Sequence, residues 1–112
     1  MGNPSEGKLL RIFIDEADKY KGKPLYEEII RLAKEESLSG ATAIKGFMGF
    51  GLKHHMHTSK FLRLSDNLPI IIEIIDTEEK INLFLPKLEG IVKEGLITTE
   101  KANIVIHHPE IE

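Results

Sequence analysis

The chain has 112 residues, enough for one domain and too few for two ordinary ones. Its hydrophobic fraction of 41% supports a real core and excludes a disordered chain, and its net charge of −3 argues against nucleic acid and a polybasic membrane surface. The lack of cysteine excludes disulfides, thiolate metal sites and a cysteine nucleophile, and suits a reducing, cytoplasmic setting.

Residues 8–15 alternate, with Leu10, Ile12 and Ile14 against Leu9, Arg11 and Phe13, which predicts a strand buried mainly on one face. Residues 15–23 are too polar for a core element and read as a loop, with Asp15, Glu16 and Asp18 as solvated carboxylates. Pro24 suits the first turn of a helix, where its missing N–H would be unpaired anyway. Tyr26, Ile29, Ile30 and Ala33 then fall at helical spacing, opposite Glu27, Glu28, Arg31, Lys34 and Glu35. The helix is expected to end near Leu38, with Gly40 as its stop signal.

Residues 41–47 read as a second strand, and Gly46, Gly49 and Gly51 then break regular structure. Residues 52–59 are polar, residues 61–64 are strand-like, and residues 67–69 interrupt. Residues 70–76 are dense in isoleucine and nearly uninterrupted, which places them at the centre of a sheet. Thr77 is a good N-cap, and Glu78 and Glu79 suit the positive end of a helix. Ile81, Phe84, Leu85, Leu88 and Val92 form its buried stripe; Pro86 is expected to kink or restart it, and Gly95 to end it. Residues 96–101 read as a loop and residues 103–107 as a final strand. The ends, residues 1–7 and 108–112, are expected to be flexible tails of a single domain, and no run approaches the roughly 20 apolar residues of a membrane-spanning helix.

The order of elements predicts an α+β fold: a ferredoxin-like βαββαβ antiparallel sheet with two helices on one face. Residues 70–75 carry apolar side chains to both faces, so the second face needs a cover, and self-association supplies one. Glu73 stands in an apolar strand and calls for a partner, Arg11 or Arg63. The glycines at 46, 49 and 51 either offer backbone N–H groups to an anion or merely turn the chain around Phe47 and Phe50. Lys45, Lys53, Lys60 and Arg63 flank them as a local positive field, with Lys60 the preferred phosphate partner. His54, His55 and His57 form the alternative site: in an extended chain His55 and His57 share a face and suit zinc, copper or nickel, completed by His107 or His108. The competing reading is a solvated loop with freely titrating imidazoles. No catalytic constellation is evident, so the chain does not read as an enzyme.

The sequence resembles the PII-like proteins, and most closely the family known as domain of unknown function 190. The resemblance runs from about Gly7 to His107 and rests on several segments in order. They are Lys21-Gly22-Lys23-Pro24-Leu25-Tyr26, Gly40-Ala41-Thr42, Lys45-Gly46-Phe47-Met48-Gly49-Phe50-Gly51, His57-Thr58, Leu68-Pro69, Glu73-Ile74-Ile75-Asp76 and Leu85-Pro86 with Gly95-Leu96-Ile97-Thr98. It implies a homotrimeric signalling protein that binds a small-molecule effector, an adenine nucleotide in the PII case, in clefts between subunits. Thr42 would touch the base, Lys45-Gly46-Phe47 would form the foot of the switching loop, and Gly95, Leu96, Ile97 and Thr98 would stand at the phosphate loop. Resemblance also gives His57 a ligand or packing role. The loop at residues 48–59 would present a changed surface to a protein target, and no cofactor is implied. The chain departs from PII in lacking the Gly-Asp-Gly-Lys run, the paired C-terminal arginines and the modified tyrosine. This argues against a triphosphate and leaves a monophosphate, a diphosphate, another small anion, or no ligand.

Overall fold

In the computed structural model, residues 5–50 and 68–107 are described. Four strands make one antiparallel sheet in the order β4-β5-β1-β6: β1 (Ser5–Asp15), β4 (Thr42–Lys45), β5 (Pro69–Thr77) and β6 (Leu96–Ile104). Between β1 and α1 (Leu25–Glu35) lies a small hairpin, β2 (Lys19–Tyr20) with β3 (Lys23–Pro24). The second helix, α2 (Glu78–Glu89), follows β5 directly. This is the expected ferredoxin-like βαββαβ arrangement, with β2 and β3 as an addition.

Period-two alternation decides the core. The register opposes Leu10 to Ile74, Ile12 to Ile72 and Ile14 to Ile70, so these six side chains share one face. Leu25, Ile29 and Ala33 from α1 and Ile81, Phe84 and Leu88 from α2 close over that same face as one cluster. Full burial of each large member contributes about 1.5–3 kcal/mol. The other face carries Leu9, Arg11, Phe13, Ile71, Glu73 and Ile75, and no described element covers it.

Several boundaries differ from the sequence reading. The strand read from Lys8 begins at Ser5, because β6 extends far enough to pair with it. The polar stretch before Pro24 is partly ordered as the hairpin, turning at Lys21 and Gly22 with φ of 52° and 81°. Lysines and a tyrosine need no core to form a two-residue ladder, so hydropathy hid it. Helix α1 stops at Glu35, not near Leu38. Ser37 takes the left-handed conformation, φ 62°, and Leu38 N–H donates to Ala33 O at 3.1 Å, so Gly40 is not the stop. Glu28, assigned to the polar face, is buried, with Arg31 as its partner.

Thr77 caps α2 as expected, its side chain accepting from Lys80 N–H at 3.3 Å. The helix continues through Pro86 and ends at Glu89 with Gly90 as its C-cap, so Val92 and Gly95 lie beyond it. Residues 96–101, read as a loop, are the first two thirds of β6. Thr98, Thr99, Glu100 and Lys101 looked too polar for a strand, but β6 is an edge strand with little burial to impose alternation. Residues 61–64 lie outside the described residues.

Candidate functional site

The residues singled out fall at two places. Thr42, Lys45, Gly46, Phe47 and Gly49 are on or just past β4, and Gly95, Leu96, Ile97 and Thr98 open β6. Gly51, His57 and Lys60 lie outside the described residues, as do Lys53, His54, His55, Arg63 and His108. His107 is described and exposed. Among the described residues there is no group of three metal-ligating side chains.

At the first place, Asp76 fixes the approach to β4. Its buried carboxylate accepts from Ser39 N–H at 2.8 Å, Ser39 Oγ at 3.0 Å and Thr77 N–H at 2.7 Å, tying the α1–β4 connection to the end of β5. Strand β4 then sends its residues to opposite faces. Thr42 opposes Glu73 and Ile44 opposes Ile71 on the uncovered face, whereas Lys45 opposes Ile70 on the helix side. Thr42 and Lys45 therefore do not converge within one subunit.

Lys45 instead belongs to a clamp at the foot of the segment joining β4 to β5. Its Nζ lies 2.9 Å from Glu16 Oε2. The Glu16 N–H donates to Leu68 O at 2.8 Å, and Gly46 N–H donates to Pro69 O at 2.8 Å. Both feet of the segment are thereby held, one by Glu16 and one by Pro69. The tight approach explains Gly46, since a Cβ there would sit 2.8 Å from Pro69 Cγ. Gly49 lies almost as near the same ring. The hydrogen bond from Lys45, reinforced by its charge, holds the Glu16 carboxyl below its usual range against the opposing effect of burial. Glu16 Oε1 is buried with no hydrogen-bond partner among the described residues. Past the clamp, Phe47 and Phe50 stand out at 80% and 73% exposure, so the glycines do not admit them to the core.

At the second place, Gly95 has φ 142° and a Cβ there would meet Phe13 O at 2.7 Å, so only glycine fits. Ile97 opposes Ile12 and packs against the core, which commits its side chain. Leu96 and Thr98 are exposed and oppose Phe13 and Arg11 on the uncovered face.

The register sets Thr42, Glu73, Arg11 and Thr98 in one row across that face. Arg11 Nε lies 2.9 Å from Glu73 Oε2 and its Nη1 lies 3.5 Å from Glu100 Oε2, so Arg11 is a partner of Glu73 as expected, while Arg63 lies outside the described residues. The hydrogen bond that Arg11 donates to Glu73 raises the Arg11 pKa further above its ordinary value. Three strand spacings, roughly 14 Å, separate the ends of the row. Thr42 and Thr98 thus occupy opposite edges of one sheet and form no common pocket in a single chain.

Glu16 was missed as a site residue because a lone carboxylate in a charged stretch carries no periodic signal; its partner is 29 positions away. The sequence did hold a clue in the Lys45-Gly46 pair beside the glycine run.

Comparison with known proteins adds the following. The model of the DUF190 family, described as "Uncharacterized ACR", matches residues 7–104. A UPF0166 protein of Aquifex aeolicus is 41% identical over 98 residues, covering 88% of this chain and 92% of the relative. A UPF0166 protein of Methanocaldococcus jannaschii is 45% identical over 93 residues, covering 82% and 85%. Among solved structures, the fold is similar to that of CPII from Thiomonas intermedia K12, a nitrogen regulatory PII-like protein bound to ADP, AMP and bicarbonate. That likeness has a TM-score of 0.63 and 20% identity, and covers 94% of this chain and 93% of the other. Among the described residues no helix is long and apolar enough to cross a membrane.

Proposed function

Since the chain belongs to the DUF190 family and has the fold of PII-like proteins, we propose that it is a PII-like signalling protein which binds a small anionic ligand, an adenine nucleotide foremost, in clefts between subunits. In this reading it is a homotrimer and performs no catalysis. The supporting observation is the row across the uncovered face. Thr42 and Thr98 lie at the two edges of the sheet that the described residues form, so a neighbour's β6 edge beside this chain's β4 edge would make a cleft that these residues of one chain lack. The uncovered face, with Leu9, Phe13, Ile71 and Ile75, would be the surface on which copies meet.

The ligand would contact Thr42, the glycine segment and the start of β6. Lys45 is already neutralised by Glu16, so an anion reaching Lys45 must displace a carboxylate whose own second oxygen has no partner among the described residues. Exchange of partners at Lys45 would free Glu16, whose backbone holds Leu68. That route would couple ligand to the conformation of residues 48–59, the surface offered to a protein target. The ligand shifts the loop only as far as it binds one state better than the other.

Thermal denaturation with ADP and with AMP tests this reading. Either nucleotide is expected to raise the melting temperature, by mass action on the native state, and Thr42→Ala is expected to reduce the rise. No shift with either nucleotide, together with no heat of binding by calorimetry, would overturn it.

A further inference from the structure

A cleft of about 370 Å³ opens between the β2–β3 hairpin, α1 and the residues that follow α2. It is built from other residues than the clamp at Lys45 and the start of β6. Its floor is apolar: Tyr20, Leu32 and Ile91 are half-buried and rest on the core. Its walls are basic, formed by Lys21 and Lys23 on the hairpin and Arg31 on α1. One carboxylate, Glu28, also lines it, and that group is committed: its Oε1 lies 2.5 Å from Arg31 Nη2. Arg31 is further occupied by Glu35 through Nη1, at 2.5 Å.

The two lysines differ from Arg31. Lys21 Nζ lies 5.4 Å from the centre of the Tyr20 ring, and Lys23 holds no close ion pair among the described residues, although, after the Arg31 hydrogen bond, its charge helps hold the Glu28 carboxyl below its ordinary range. Together with Lys19 they put three cations within five residues, in a stretch that also holds Asp15, Glu16, Asp18, Glu27 and Glu28, so the lysines add a local positive edge to the cleft and not a net positive region. The hairpin that carries them is well anchored. Leu25 N–H donates to Asp18 O at 2.8 Å, and Asp15 N–H donates to Asp18 Oδ2 at 3.0 Å. A cleft of this size with an apolar floor and a few convergent charges has the general make-up of a small-molecule site.

We propose that this cleft binds a small organic anion. Its apolar, ring-sized body rests on Tyr20, Leu32 and Ile91, and its carboxylate or phosphate is held by Lys21 and Lys23. The lysines supply charge-assisted hydrogen bonds, and the floor supplies the burial that neither bare phosphate nor bare carboxylate can use. Both halves are needed, so the site selects amphipathic anions over simple ones. The inference does not depend on nucleotide binding elsewhere.

Phenyl phosphate and benzoate are suitable probes, followed by amide chemical shifts of the full chain in solution. Inorganic phosphate and benzyl alcohol represent the separate halves. Saturable shifts at Tyr20, Lys23, Arg31, Leu32 and Ile91 are expected with phenyl phosphate or benzoate. Each half alone, and the Lys21→Gln, Lys23→Gln variant, should bind about tenfold or more weakly, because each lacks either the apolar contact or the charge-assisted ones. Should the double variant fold poorly by circular dichroism, Lys23→Gln alone carries the same comparison. The proposal is overturned if the shifts do not saturate or gather at Gly46 and Gly95, or if the lysine variant binds as the parent does.

Discussion

The two faces of the sheet are made by alternate residues of the same strands, yet they meet different fates. Leu10, Ile12, Ile72 and Ile74 are sealed under α1 and α2, while their neighbours Leu9, Phe13, Ile71 and Ile75 remain partly open, with Ile75 48% exposed. The covered face is purely aliphatic at its centre. The open one mixes apolar groups with the Arg11–Glu73 pair. A surface of that mixture is better suited to meeting another protein surface than to a subunit's own interior, because its charges arrive already paired. The contrast teaches that one strand pattern can specify a sealed core and a more open face of mixed character together.

Three substitutions would sharpen or break this contrast. Phe84→Ala, on the covered side, should cost about 3–5 kcal/mol of unfolding free energy, measured by urea denaturation. A loss near zero would mean the helices do not seal that face. Glu16→Gln should come next and be visible in its pH dependence. The folded carboxyl lies below its ordinary 4.5, so the pair's contribution is complete above that value and fades as pH falls through the lowered folded pKa. The variant should lose stability at neutral pH and show a flatter acid limb, and an unchanged limb would refute the clamp. Ile75→Ala should be smallest, within about 0.5 kcal/mol for a dilute single subunit. It should nevertheless weaken self-association at higher concentration; an unchanged association constant would remove Ile75 from the interface.

How much of this was legible beforehand follows from what fixes each element. Residues 8–15 and 70–76 were readable because burial on one face forces alternation and burial at the sheet centre forces a near-continuous apolar run. The Thr77 cap was readable because it is local chemistry. Edge strand β6 was misread over residues 96–101, since an edge with one solvated side places little demand on hydropathy. The hairpin at Lys19–Pro24 escaped for the same reason, being held by backbone, by Asp18 and by the single apolar contact of Tyr20 with the core. At the site, glycines 46 and 95 were legible as breaks, but their purpose was not. One clears the Pro69 ring and the other clears Phe13 O, contacts between distant parts of the chain. The Glu16–Lys45 clamp is likewise a tertiary fact. Opposite placement of Thr42 and Lys45 follows from alternation along β4, but which of them takes the helix side followed from pairing register, which composition does not encode.

The decisive measurement is the mass of the protein in solution by sedimentation equilibrium across micromolar concentrations. Copies that cover one another's open sheet face and bring a β4 edge to a β6 edge should sediment at three times the chain mass. A single species of one chain mass throughout that range would leave the open face bare and the row from Thr42 to Thr98 without a cleft.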